Sequence, residues 1–170
     1  MSSSASAKTA HEIISKHEDV EVWKNPENQQ HALHAAKSFD RDEVICSFEA
    51  RDILPTPTYL TVQIAADQHI LLHPEHLQYA NHSCSPNVFF DTSAMKLIAL
   101  ETIQAGDELR FFYPSSEWEM DQPFVCNCGS PDCLQLIQGA ANLNKEMQSR
   151  YRLTQFIHDQ LTHKNSFKTD

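Results

Sequence analysis

At 170 residues the chain is long enough for one domain with a real core, and 41% hydrophobic with 21% charged residues suits a globular protein. A formal net charge of −10 argues against a nucleic-acid backbone as the main partner, because phosphate binding needs a basic surface; an acidic face can instead attract a basic peptide. The longest apolar runs, such as Ile70-Leu71-Leu72, fall far short of the roughly 20 residues that span a bilayer, so neither nucleic acid nor membrane is an expected partner.

The first ten residues are small and polar with no apolar stretch of signal-peptide type, and residues 1–10 are expected to be a disordered tail. Ile13-Ile14 and Val20-Glu21-Val22-Trp23 read as strands, closed by a turn at Asn25-Pro26-Glu27-Asn28. The segment His31 to Ala36, a turn at Asp40-Arg41-Asp42 and a strand from Glu43 to Phe48 follow. Residues 52–58, with Pro55 and Pro57, read as a loop; Tyr59 to Ile64 and His69 to Leu72 read as a hairpin about Ala66-Asp67-Gln68. His73 to Tyr79 predicts a brief helix with Pro74 in its first turn. Val88-Phe89-Phe90 and Lys96 to Leu100 are strand-like, and a turn at Gln104 to Asp107 leads into a strand ending at Tyr113. Over residues 141–162 the apolar groups Leu143, Met147, Tyr151, Leu153, Phe156, Ile157 and Leu161 approach helical spacing, a stripe expected to pack on the core.

Two stretches concentrate chemistry. Asn81-His82-Ser83-Cys84-Ser85-Pro86-Asn87 places two amides, an imidazole, hydroxyls and a thiol around one proline, and Cys126, Cys128 and Cys133 follow the Tyr113 strand. Five cysteines without a secretory signal imply a reducing compartment, inside the cell in cytoplasm or nucleus, where such clusters are more often metal sites than disulfides. The Cys-x-Cys pair suits two thiolates reaching one Zn2+ from a tight turn at Gly129. Three thiolates need a fourth, and Cys84 can supply it if residues 81–87 fold beside residues 113–133. Cys46, among Val44, Ile45 and Phe48, reads as a buried, inert thiol.

The Asn81–Asn87 block, the strand ending in Tyr113 and the Cys-x-Cys-x4-Cys tail together resemble a SET domain with its post-SET zinc segment, and the compact chain is similar to the short free-standing SET proteins. The resemblance implies a mainly β fold of small curved sheets, a threaded C-terminal segment, a zinc cluster and a final helix. Its divisions are a SET domain over 11–114, a zinc segment over 115–139 and a C-terminal helix and tail over 140–170. It implies methyl transfer from S-adenosylmethionine to an amine, foremost a protein lysine, by a monomer with structural Zn2+ on Cys84, Cys126, Cys128 and Cys133. By the same resemblance Tyr113 is the catalytic tyrosine. Phe111 matches a position where phenylalanine goes with repeated methylation, and His31, Leu33, Asn81, His82, Tyr113 and Leu134 match cofactor contacts. Phe112 stands where many members carry an acid, which implies a less polar channel.

Methyl transfer to an amine is an in-line displacement, so alignment and exclusion of water matter more than a strong base. A lysine amine with a pKa of about 10.4 must still lose its proton, here to a path of water. One departure stands out: the family's Gly-x-Gly is replaced by Gln30-His31-Ala32, where glycine would let backbone come close to a ligand. Two other functions therefore stay open. One is a binding module that keeps fold and zinc without cofactor; the other is a methyltransferase of small amines, suggested by the short insert at residues 52–72.

Overall fold

The computed structural model describes residues 10–167, so the expected N-terminal tail lies outside the described residues except for Ala10. The described residues are mainly β, in five small sheets. β1 (Glu12–Lys16), β2 (Val20–Lys24) and β3 (His31–Ala35) form an antiparallel meander. In β2 the alternation reads directly as burial: Val20 and Val22 turn into the core while Glu21 and Trp23 face outward. Outside the core, Trp23 stacks on His34 with centroids 4.0 Å apart.

β4 (Val44–Ser47), β10 (Lys96–Ala99) and β9 (Val88–Asp91) make the second sheet, in the order β4-β10-β9. β5 (Glu49–Leu54), β7 (Gln68–His73) and β6 (Thr61–Ala65) make the third, with β7 central. The expected hairpin of residues 59–72 is present as β6 and β7. The loop expected over 52–58 is shorter, because Asp52, Ile53 and Leu54 pair with β7; β5 is an outer strand with Ile53 exposed, so its pairing leaves little burial pattern to read. Residues Glu75–Tyr79 form the expected short helix as a 3-10 turn, with Pro74 just ahead of it.

The segment from Gly106 to Tyr113 organises the molecule. It runs first along the free edge of β3, where Leu109 N–H donates to the Leu33 carbonyl and Ala35 N–H to that of Asp107. It then becomes β11 (Arg110–Phe111), which pairs in parallel with β8 (Asn81–His82). The chain is thus threaded between two strands laid down much earlier. The pairing is only two residues long, and Asn87 extends it: its amide donates to the Glu108 carbonyl and accepts the Arg110 N–H, both at 2.8 Å. This side chain acts as an added rung of backbone, which explains the second amide of the motif. The strand expected to continue through Tyr113 stops at Phe111, and Tyr113–Ser115 is a 3-10 turn with Pro114 inside it; proline cannot donate to a ladder.

The main core, built around Leu33, Phe39, Ile70, Phe90, Leu97 and Leu109, fills the space between these sheets. A second cluster covers its end, formed by Phe112, Tyr151, Leu153, Ile157 and Leu161. The single C-terminal helix expected over 141–162 is instead two: α1 (Lys145–Arg150) and α2 (Gln155–Ser166), separated by an extended stretch. Asn144 and Thr154 cap them, each side chain accepting an N–H three residues on. The break lets Tyr151 stack on Phe112 at 3.7 Å and donate its hydroxyl to the Cys84 carbonyl at 2.7 Å. Tyr151→Phe keeps the stacking and deletes that bond, so a urea unfolding curve should show a loss of about 1 kcal/mol. An unchanged midpoint would mean that the C-terminal segment does not brace the Cys84 loop. Among the described residues no helix is long and apolar enough to cross a membrane.

Candidate functional site

Cys84, Cys126, Cys128 and Cys133 converge: their four sulfurs lie within 4.8 Å of one another. β12 (Phe124–Val125) and β13 (Leu136–Ile137) form the hairpin that closes residues 126–135 into a loop, with Cys126 N–H donating to the Gln135 carbonyl. Gly129, at φ +77°, takes the left-handed turn that the Cys-x-Cys knuckle requires. Cys84 arrives from 42 residues before Cys126 in the sequence. Its sulfur is 3.9 Å from that of Cys126 and 4.0 Å from that of Cys133. Disulfide sulfurs are about 2.05 Å apart, whereas four thiolates about 2.3 Å from a central Zn2+ have edges of about 3.8 Å. The donor set and its spacing therefore fit tetrahedral zinc. Burial raises the Cys84 thiol, and pushes that of Cys126 up to about 11, so an ion binding here must displace protons.

The imidazole of His82 joins this cluster to Tyr113. Its Nδ1 accepts the Tyr113 N–H at 3.2 Å, which leaves the proton on Nε2, 3.4 Å from the Cys84 sulfur. Burial pushes His82 down to about 4, so the ring is neutral. Leu134 N–H also points at the Cys84 sulfur, at 3.4 Å. Cys84 thus faces two N–H donors, of the kind that orient a metal ligand from outside.

Tyr113 is half-buried beside β8. Its hydroxyl donates to the Ala80 carbonyl at 3.4 Å, and burial pushes the phenol up to about 12, so it stays protonated. Its ring lies 4.6 Å from Phe111 and 6.0 Å from Phe124. Phe111 is packed behind it, 4.8 Å from Phe90 and part of the main core. Phe112 faces the opposite way and is fully buried against Tyr151; it does not line a channel beside Tyr113, and its hydrophobic character belongs to the C-terminal cluster.

The residues expected around a cofactor are connected but not gathered on one cavity. Asn81 donates its amide to the His31 carbonyl at 3.1 Å and to Glu108 at 3.2 Å, so it ties β8 to β3. His31 stacks on Tyr79 at 5.0 Å and lines a cavity of about 330 Å³ with Tyr79, Gln78 and Val22. Leu134 lines another, of about 290 Å³, with Pro114, Leu136 and Met147. Tyr113 lines a third, of about 250 Å³, with Phe124, Tyr59 and Glu117. Leu33 stands apart, because its side chain is fully buried in the core and only backbone remains for a ligand. At the replaced glycines the structure is permissive. Gln30 is exposed with its side chain turned toward Asn28, and the positive φ of this turn falls on Gln29 rather than on residue 30 or 32. Neither Gln30 nor Ala32 is strained, so the backbone angle does not demand glycine there.

Glu117, Phe124 and Tyr59 line the cavity beside Tyr113, and the sequence did not mark them. Glu117 begins an acidic, polar-looking run after Tyr113, yet it is buried: its Oε1 accepts the Gln63 N–H at 2.9 Å and the Ser116 hydroxyl at 3.3 Å. Burial pushes its carboxyl up to about 7.

The sequence profile of the SET domain matches residues 11–114. Methyltransferase flvH of Aspergillus flavus is 44% identical over 112 residues, which cover 65% of this chain and 62% of that protein. A histone-lysine N-methyltransferase, H3 lysine-36 specific, of Aspergillus fumigatus is 35% identical over 74 residues, 40% of this chain and 8% of that protein. That of Candida albicans is 33% identical over 69 residues, 36% of this chain and 8% of that protein. The chain thus spans somewhat under two thirds of the first relative and less than a tenth of the other two. A profile match over most of the chain, on a fold whose Tyr113 segment threads between β3 and β8, places this protein in the SET-domain family.

Proposed function

We propose that the chain is an S-adenosylmethionine-dependent methyltransferase that acts on an amine, in the first place a protein lysine, and that Zn2+ on the four cysteines holds its C-terminal wall in place. The observation that carries this reading is the Tyr113 hydroxyl, fixed on the Ala80 carbonyl at the wall of an aromatic cavity. His31, Asn81, His82, Tyr113 and Leu134 would hold the cofactor, with His82 contributing backbone because both ring nitrogens are engaged. When bound, the cofactor supplies a methyl group on a sulfonium. Tyr113 orients the reacting groups, and Phe111 behind it sets the room left for an already methylated amine. Thiolate ligands for zinc suit a reducing compartment, which supports a location inside the cell.

Calorimetric titration with S-adenosylmethionine tests the reading: one saturable site per chain is expected, and no heat or competition at millimolar cofactor would leave a binding module. The small-amine alternative is favoured by the shortness of the insert over residues 52–72, which brings only Thr58 and the exposed Tyr59 to the cavity. Methyl transfer to free amines against lysine peptides, followed by mass spectrometry, decides between the two.

A further inference from the structure

The cavity beside Tyr113 has an unusual lining: Tyr59, Tyr113, Met120, Pro123 and Phe124 bring aromatic and aliphatic surface, and the buried Glu117 is among them. Glu117 is 6% exposed. Both of its hydrogen bonds go to Oε1, and Oε2 has no partner among the described residues. The other titratable groups on the wall are Tyr59, Tyr113 and Asp121, and no lysine, arginine or histidine is among the residues that line it. A carboxylate is costly to bury unpaired, and one oxygen left toward a cavity lined by aromatic faces describes a seat for a cation.

Resting on the methyl-transfer reading above, we infer that Glu117 docks the substrate's primary ammonium group in this cavity and takes its proton before methylation. In the step, R–NH3+ and the Glu117 carboxylate become R–NH2 and the Glu117 carboxylic acid. The amine lone pair then forms the C–N bond to the methyl of a sulfonium donor, as the S–C electron pair goes to sulfur and leaves a neutral thioether. The product is R–NH2+–CH3, and the Glu117 proton returns to solvent through the open mouth at Tyr59. The amine thus meets its base inside the cavity, in place of the water path expected from the sequence. Burial suits the group to this role, because a carboxyl near 7 is about half ionised in neutral solution and still basic enough to accept a proton. The same burial predicts a stability signature. The folded pKa lies above the unfolded one, so the folded state is penalised increasingly as pH rises from about 4.5 through about 7.

The test compares wild type with Glu117→Gln, which retains the acceptor for the Gln63 N–H, and with Asp121→Asn. Each is titrated with n-butylammonium chloride at pH 8, followed by NMR shifts of the Tyr113 and Phe124 rings. The expected result is saturable binding by wild type and by Asp121→Asn, weakened at least tenfold in Glu117→Gln and at least tenfold in wild type at pH 5. Thermal unfolding adds a readout independent of ligand: Glu117→Gln should melt higher than wild type at pH 8 and equally at pH 4.5. Equal butylammonium affinity in wild type and Glu117→Gln overturns the inference, as does absence of saturable binding by wild type. S-adenosylmethionine titration of the same samples separates the two proposals. Cofactor binding without any Glu117 effect sinks this one alone; a Glu117 effect without cofactor binding leaves an amine site and sinks methyl transfer. A three-residue peptide with central lysine identifies the source of the ammonium, tighter than butylammonium for a protein lysine and equal to it for a small amine.

Discussion

If the four cysteines hold Zn2+ as proposed, Cys84→Ser should release it, although Cys84 lies 42 residues before the nearest of its three partners in sequence. A serine hydroxyl is not deprotonated near pH 7 and is a poor match for Zn2+ beside three thiolates. Cys84 is also the sulfur that His82 and Leu134 face with N–H groups, so its loss removes a ligand and strands two donors. Apparent zinc affinity should fall by about a hundredfold or more. Because zinc binds the folded chain, a hundredfold change near saturation corresponds to about 2.7 kcal/mol of stability, or a drop of about 5–11 °C in melting temperature for a chain of this size. Elemental analysis after dialysis, paired with calorimetry, measures both. Cys46→Ser provides the control, since Cys46 lies in another sheet, paired with Leu97, with its thiol pushed up by burial to about 12. Chelator-treated wild type should melt like Cys84→Ser. A variant that keeps one zinc per chain and its full melting temperature would show that the three C-terminal cysteines form the site without Cys84.

That long-range partnership was legible because thiolates can be counted: three within eight residues call for a fourth, and the Asn81–Asn87 block offers it. The position of Tyr113 beside that block was legible for a similar reason, through a motif. What was hidden depends on partners that a local pattern does not contain. Nothing local in Ser115-Ser116-Glu117-Trp118-Glu119 marks Glu117, whose buried carboxylate accepts the N–H of Gln63, 54 residues earlier. Phe112 reads as a channel residue because it stands where many family members carry an acid; the turn at Tyr113 and the stacking of Tyr151 send it elsewhere. In the C-terminal region, helical spacing ran through a real break. The two-residue step from Tyr151 to Leu153 and the caps at Asn144 and Thr154 were the signals for two helices, and they were outweighed by the apolar stripe. β5 was missed because an outer strand with Ile53 in solvent carries no alternation of burial.

Tyr113→Phe should lower turnover by about a hundredfold while S-adenosylmethionine affinity changes less than about threefold. The substitution deletes one oxygen and leaves the ring, whose contacts with Phe111 and Phe124 are carried by carbon. The hydroxyl donates to the Ala80 carbonyl, so its lone pairs are free to face the methyl group and amine as they align. An interaction made mainly in the transition state appears in kcat and kcat/KM together and leaves ground-state binding alone; loss of one such oriented group typically costs on the order of a hundredfold or more. The pH dependence separates Tyr113 from Glu117. The Tyr113 phenol is held protonated up to about 12 by burial, so it adds no inflection at neutral pH. Glu117 must be ionised to accept a proton, so turnover should rise as pH passes through about 7 and then level off. Tyr113→Phe should keep that rise at a reduced height, whereas Glu117→Gln should flatten it. Full activity in Tyr113→Phe would remove the tyrosine from the chemistry, and a rise that moves with Tyr113→Phe would assign the titration to the phenol instead.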